Sequence, residues 1–203
     1  LHIDAQDRIW VATEGGGLSM LDTRREGFRH FRKATHPQML SDDVFAITSR
    51  GDTIWFGSFG GGLNRLAADG VLTHFAASET DAASLPSDDI LSLAFDAKGR
   101  LWIGTLAGLA VHDGNSFKRV SVPTTEAAQP IIYSLTADAA QLWAGTADGV
   151  FMLKAGGSWQ IPAWSPMFAR PNAVIAMVNT EDGQYWLGGQ GGLWRTQGES
   201  APV

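Results

Sequence analysis

The sequence predicts an all-β fold, a segment of a β-propeller made of four-stranded antiparallel blades. Three observations carry this prediction. Trp10, Trp55, Trp102, Trp143 and Trp186 each sit in a short β-type run, and they recur at spacings of 45, 47, 41 and 43 residues. Each run leads through a small residue, usually a hydroxyl, and a glycine turn into a second apolar run, as in RLWIGTLAGLAVHD from Arg100 to Asp113. Each period also holds four short strand-like stretches, and self-similarity at that period with four strands per repeat is the pattern of a propeller blade.

The strands can be taken in order. Strand A reads VFAITS, ILSLAFD, IIYSLTA and VIAMVN, with only LHID left of it in the first copy. An Asp- and Gly-rich hairpin turn follows. Strand B is IWVAT, IWFGS, LWIGT, LWAGT or YWLGG; strand C is LSMLD, LNRLA, LAVHD, VFMLK or LWR; strand D is the looser FRHFRK, VLTHFA, FKRVSV and WQIPA. This divides one domain, 1–203, into repeats of approximately 1–33, 43–76, 90–122, 131–163 and 174–203: four near-complete blades and a partial fifth. The ragged ends predict a piece of a larger ring, and Leu1, lying within a strand pattern, predicts a chain cut from something longer.

Strand alternation places Trp102 and Gly104 on one face and Leu101, Ile103 and Thr105 on the other. Both faces are apolar, so both must be covered, which neighbouring blades would do. Gly57, Gly104, Gly145 and Gly188, with Ala12 in the first copy, should leave room beside the Trp for the next blade. In the Pro-rich connections from strand D to strand A, a polar residue precedes the next strand: Asp42, Asp88, Gln129 and Asn172. These are expected to form Asx-type turns on their own backbone.

Composition removes several function classes. The net charge of −6 comes without a basic cluster, which argues against a nucleic-acid partner. No run approaches the roughly 18–20 apolar residues of a membrane span, so no membrane contact is expected of this segment. Cysteine is absent, which fits an oxidising compartment.

The same holds for chemistry. The five histidines show no metal-ligand spacing, and His30, His74 and His112 read as structural surface residues. The glycine runs at Glu14–Gly17 and Gly188–Gly192 lack the lysine and helix of a phosphate cradle, so no cofactor is expected. The Asp pairs 42/43 and 88/89 occupy repeated loop positions. No metal site and no catalytic residue is assigned, although carboxylates converging on a ring axis leave a propeller hydrolase or lyase open as the enzyme alternative.

IWFGSFGGGLNRL (Ile54 to Leu66), LWIGTLAGLAVHD and the preceding LPSDDILSLAFDAKGR resemble the two-component regulator propeller repeat. The resemblance implies a sensor region of a bacterial membrane receptor. In that family the propellers are commonly seven-bladed and in tandem, face the periplasm, and are followed by a β-sandwich, a transmembrane helix and a histidine kinase or diguanylate cyclase. It implies a periplasmic, non-enzymatic role in ligand sensing or dimerisation, with Trp102, Gly104, Thr105, Gly108 and Leu109 as structural residues. Ala12, Ser58, Gly189 and Val150 depart from the pattern by small changes.

Repetition separates scaffold from function: a residue type that recurs in register serves the blade, and one that varies is free to contact something else. The first turn position after strand B reads Glu14, Phe59, Leu106, Ala147 and Gln190. Because B–C turns and D–A connections share one end of a blade, Glu14, Phe59, Leu106, Asp148 and Gln190 are expected near His36, Asp42, Asp88, Phe168 and Arg170. These ten are the ligand-binding candidates, and an aromatic among polar groups makes a platform for a small molecule or glycan. The other partners expected are a second copy of the chain or the remainder of the propeller. A plain protein-interaction scaffold is the rival within the binding class.

Overall fold

The computed structural model describes every residue except 125–127, 155, 170–171, 181 and 198–199. It contains five antiparallel sheets, four of four strands and one of three. Blade I comprises β1 (His2–Ile3), β2 (Ile9–Thr13), β3 (Gly17–Leu21) and β4 (Phe28–Phe31). Blade II comprises β5 (Val44–Arg50), β6 (Thr53–Ser58), β7 (Leu63–Leu66) and β8 (Leu72–Phe75). Blade III comprises β9 (Ile90–Phe95), β10 (Leu101–Thr105), β11 (Gly108–His112) and β12 (Phe117–Val120). Blade IV comprises β13 (Ile132–Ala137), β14 (Gln141–Thr146), β15 (Gly149–Lys154) and β16 (Trp159–Gln160). Blade V holds β17 (Val174–Asn179), β18 (Gln184–Gly189) and β19 (Gly192–Gln197). Beyond β19, Val203 exchanges two backbone hydrogen bonds with Arg195.

Consecutive blades stack through their first strands, β5 on β9, β9 on β13 and β13 on β17. Four apolar clusters fill the four interfaces. Trp10, Leu18 and Phe31 meet Val44, Phe56 and Leu66 between blades I and II. Trp55 and Leu63 meet Ile90, Ile103 and Ala110 between II and III. Trp102, Leu109 and Val111 meet Ile132, Ala144 and Phe151 between III and IV. Trp143, Val150 and Met152 meet Val174, Tyr185 and Leu187 between IV and V. Among the described residues no such cluster joins blade V to blade I, so the array is an open segment. Each buried Trp contributes roughly 4–6 kcal/mol of gross hydrophobic stabilisation before ordering costs are subtracted.

In blades II, III and IV the glycine two residues after the Trp is where the next blade's first strand lands. A Cβ on Gly57 would lie 2.2 Å from Ile90 Cγ2, one on Gly104 would lie 2.7 Å from Ile132 Cγ2, and one on Gly145 would lie 2.6 Å from the Val174 carbonyl oxygen. Only glycine fits there.

Candidate functional site

The two ends of the blades differ in construction. One end carries the B–C turns and D–A connections, and a repeated polar clamp organises it. Ser41 and Ser87 accept the N–H of Asp43 and Asp89 through Oγ, both at 3.1 Å. Asp42 and Asp88 accept the N–H of Lys33 and Ala77 at 2.7 and 2.6 Å, and Gln129 Oε1 accepts that of Val122 at 2.7 Å. The sequence expectation is corrected here: these side chains bond backbone well upstream, just past strand D, rather than forming Asx turns on their own. The second Asp of each pair reaches back to the preceding blade, where Asp43 accepts the Gly15 N–H at 2.6 Å and Asp89 that of Gly60 at 2.8 Å. Their carbonyl oxygens accept the N–H of Phe59 and Leu106 in the following B–C turns.

Strand A adds a feature the sequence reading missed. The ladder between strands A and B slips by one residue at its start in four blades, leaving Phe45, Leu91, Tyr133 and Ile175 as the extra residue of a bulge. A bulge re-aims the side chain it carries. Phe45 and Ile175 are 51% and 55% exposed, and Phe45 meets the 45%-exposed Phe59 ring at 6.0 Å. A large residue recurring at the second position of strand A was the available signal, hidden because simple alternation counts no extra residue.

Of the ten candidates, Glu14, Phe59 and Gln190 are exposed turn residues and Leu106 is half-buried. Asp42 and Asp88 have their carboxylates engaged as scaffold acceptors. His36 is half-buried, hydrogen-bonded to Thr35 Oγ1 at 2.9 Å, with its ring 5.0 Å from Phe31. Asp148 accepts from Thr124 Oγ1 and bridges to Ala169. Phe168 leaves the set: a 3-10 turn at Ser165–Phe168 carries it inward, where it is fully buried between Trp164 and Trp194, at 5.6 and 5.0 Å. Arg170 lies outside the described residues.

The opposite end carries the A–B and C–D turns. Asp96 Oδ2 accepts both Arg100 Nε at 2.7 Å and Trp102 Nε1 at 2.9 Å, with the guanidinium 5.2 Å over the indole. Asp4, Arg8 and Trp10 repeat the arrangement at 2.6, 2.7 and 5.4 Å. Burial alone would raise both carboxyls, but hydrogen bonds from Trp and Arg outweigh it and hold them below the usual carboxylate range.

The histidine reading also needs correction. His112 is 6% exposed, packed 4.5 Å from Phe117 and 5.4 Å from Trp55. Half-buried His74 bonds Asn64 Oδ1 through Nδ1 at 3.2 Å. Burial lowers both pKa values, against the opposing pull of Asp113 and Asp88, and so favours the neutral ring in each.

The stacked, Trp-anchored sheets make the chain a β-propeller segment. Residues 84–107, from the connection before β9 to the turn after β10, match the family model described as Two component regulator propeller. No curated protein sequence matches the chain significantly. Among solved structures it is similar to the extracellular domain of the putative hybrid two component system BT3049 from B. thetaiotaomicron, at 23% identity and TM-score 0.72, covering 95% of this chain and 25% of that one. The extracellular domain of the putative one component system BT4673 from the same organism aligns at 19% identity and TM-score 0.78, covering 100% and 26%. The chain thus spans about a quarter of the length of these two. Virginiamycin B lyase from Staphylococcus aureus shares the fold at 14% identity and TM-score 0.71, covering 100% and 67%. These likenesses establish the fold.

Many polar side chains of the matched stretch are taken up by the blade itself. Ser87, Asp88 and Asp89 form the clamp, and Ser92 Oγ donates to the Ile132 carbonyl of the next blade. Asp96 holds Arg100 and Trp102, and Thr105 Oγ1 donates to the Gly108 carbonyl while accepting the Ala107 N–H. The repeat encodes a scaffold.

Proposed function

We propose that the chain is a non-enzymatic sensing segment of a bacterial signalling receptor, exposed to the periplasm, that binds a small molecule or glycan at the B–C/D–A end of its blades or pairs two receptors there. The observation that carries this reading is the division of labour in the repeat. The recurring polar residues are consumed by the scaffold, while the B–C turn residues Phe59 and Leu106 differ from copy to copy, and the bulges add Phe45 and Tyr133 at the same end. Aromatic faces stack on sugar rings and other planar groups with little ordering cost, because two torsions fix them. The likeness to extracellular domains of two-component and one-component systems supports the receptor setting. The enzyme alternative draws on the propeller shared with virginiamycin B lyase.

Thermal unfolding against a panel of glycans and metabolites tests the proposal, since a ligand that binds only the native state raises the midpoint by mass action. The expected result is a shift that disappears in Phe59→Ala while the ligand-free midpoint stays near wild type. A shift kept in both Phe59→Ala and Phe45→Ala would move the site elsewhere, and turnover of a bound compound would favour the enzyme.

A further inference from the structure

The A–B/C–D end opens into one cleft at each of the first three blade interfaces, and the middle one differs in both size and charge. The cleft between blades II and III measures about 220 Å³, against about 50 Å³ between I and II and about 40 Å³ between III and IV. Three of its lining residues, Arg65, His112 and Thr53, break the repeat. Strand C presents an apolar residue to the following blade at Met20, Val111 and Met152, but Arg65 in blade II. It presents leucine to the preceding blade at Leu66 and Leu153, but His112 in blade III. Where blades I and III place an aspartate and an arginine around the Trp, blade II has Ser49 and Thr53. Ser49 is taken up by His2, at 2.7 Å.

The consequence is a pair of guanidiniums lining the cleft with no carboxylate on its walls. Arg65 lies 5.9 Å over Trp55; its Nε is buried without a hydrogen-bond partner, and its Nη2 has only a long 3.4 Å bond to Thr73. Arg50 spans to the next blade, donating to the Gly99 carbonyl at 2.7 Å with its guanidinium 5.9 Å over Phe95. Two carboxylates adjoin lining residues in the chain: Asp52, exposed at the A–B turn beside Thr53, and Asp113, exposed at the C–D turn, where its Oδ1 takes the N–H groups of Asn115 and Ser116. A buried guanidinium N–H without an acceptor costs free energy that an anionic acceptor returns. In a protein of net charge −6, a cation-lined cleft of this kind attracts an anion despite the overall field.

We propose that this cleft is a binding site for an oxyanion, the carboxylate, sulfate or phosphate group of a small molecule, held by Arg65 and Arg50 beside Trp55. It sits at the opposite end of the blades from the B–C/D–A face and stands independently of any ligand there.

The test is calorimetric titration of the 203-residue chain with sodium sulfate, sodium phosphate and sodium benzoate at constant ionic strength in chloride. Saturable one-site binding of at least one of them is expected, and their rank identifies which oxyanion the cleft prefers. Arg65→Met, which restores the residue found at Met20 and Met152, should weaken binding at least 10-fold, and Arg50→Gln several-fold. Arg50 is exposed, so its replacement keeps the test available if Arg65→Met folds poorly. No saturable binding of any of the three, or unchanged affinity in the variants, would overturn the proposal and leave the two arginines as packing over aromatic rings.

Discussion

Blades III and V carry the same repeat, yet one is closed on both sides and the other on one. In blade III every residue of strands β10 and β11 is buried, whereas β19 exposes Leu193 and half-exposes Trp194. The glycine beside the Trp differs most. At Gly104 a Cβ would meet Ser92 Oγ at 2.2 Å and Ile132 of the next blade at 2.7 Å, while at Gly188 its nearest neighbour is Ala176 Cβ of its own sheet at 3.7 Å. The repeat is therefore a rule about interfaces. At Gly57, Gly104 and Gly145 the following blade's first strand comes within 2.2–2.7 Å of an added Cβ, and at Gly188, where no blade follows, that approach is missing.

The sharpest way to break this comparison is to remove the two tryptophans. Trp102→Ala takes away a buried ring wedged between blades III and IV and should cost about 3–5 kcal/mol in chemical denaturation. Trp186→Ala, removing a half-buried ring, should cost about 1–2 kcal/mol. Equal losses would mean that the Trp serves its own sheet.

Asp96→Asn probes the clamp under Trp102. Losing the oxygen that takes both Arg100 and Trp102 should cost about 1–3 kcal/mol. The pH dependence fixes the sign. Asp4 and Asp96 have folded pKa values below the ordinary carboxylate value of about 3.9, so their stabilisation is complete above that value and is lost as pH falls through the folded values. Acid titration of stability should be shallower below pH 4 in the double variant Asp4→Asn/Asp96→Asn than in wild type. A smaller effect, about 1 kcal/mol, is expected for Asp89→Ala, which frees the Gly60 N–H of the neighbouring blade's turn; amide exchange should rise at Gly60 and not at Gly15.

Much of this architecture was legible because each blade repeats the same solution. The Trp spacing located all five sheets, and the glycine after Trp55, Trp102 and Trp143 announced a close approach. What escaped were features in which one residue changes the count or the direction. The strand A bulges insert Phe45, Leu91, Tyr133 and Ile175 without any glycine or proline to mark them. Phe168 looked like a loop aromatic until a single 3-10 turn folded it into the core. His112 carried the polarity of a surface residue, yet it occupies the register of Leu66 and Leu153, and register decided its burial.

The central claim is that the recurring residues answer to the next blade, and the most direct measurement is urea unfolding of Gly57→Ala beside Gly188→Ala. Both glycines face an alanine of their own sheet, Ala46 and Ala176, but at Gly57 the new methyl would lie 2.2 Å from Ile90 Cγ2 and 2.5 Å from Ile90 Cβ of the next blade, a branch point that cannot move aside cheaply. The account predicts a loss of about 1–3 kcal/mol there and a change within about 0.5 kcal/mol at Gly188. Similar losses at both positions would contradict it.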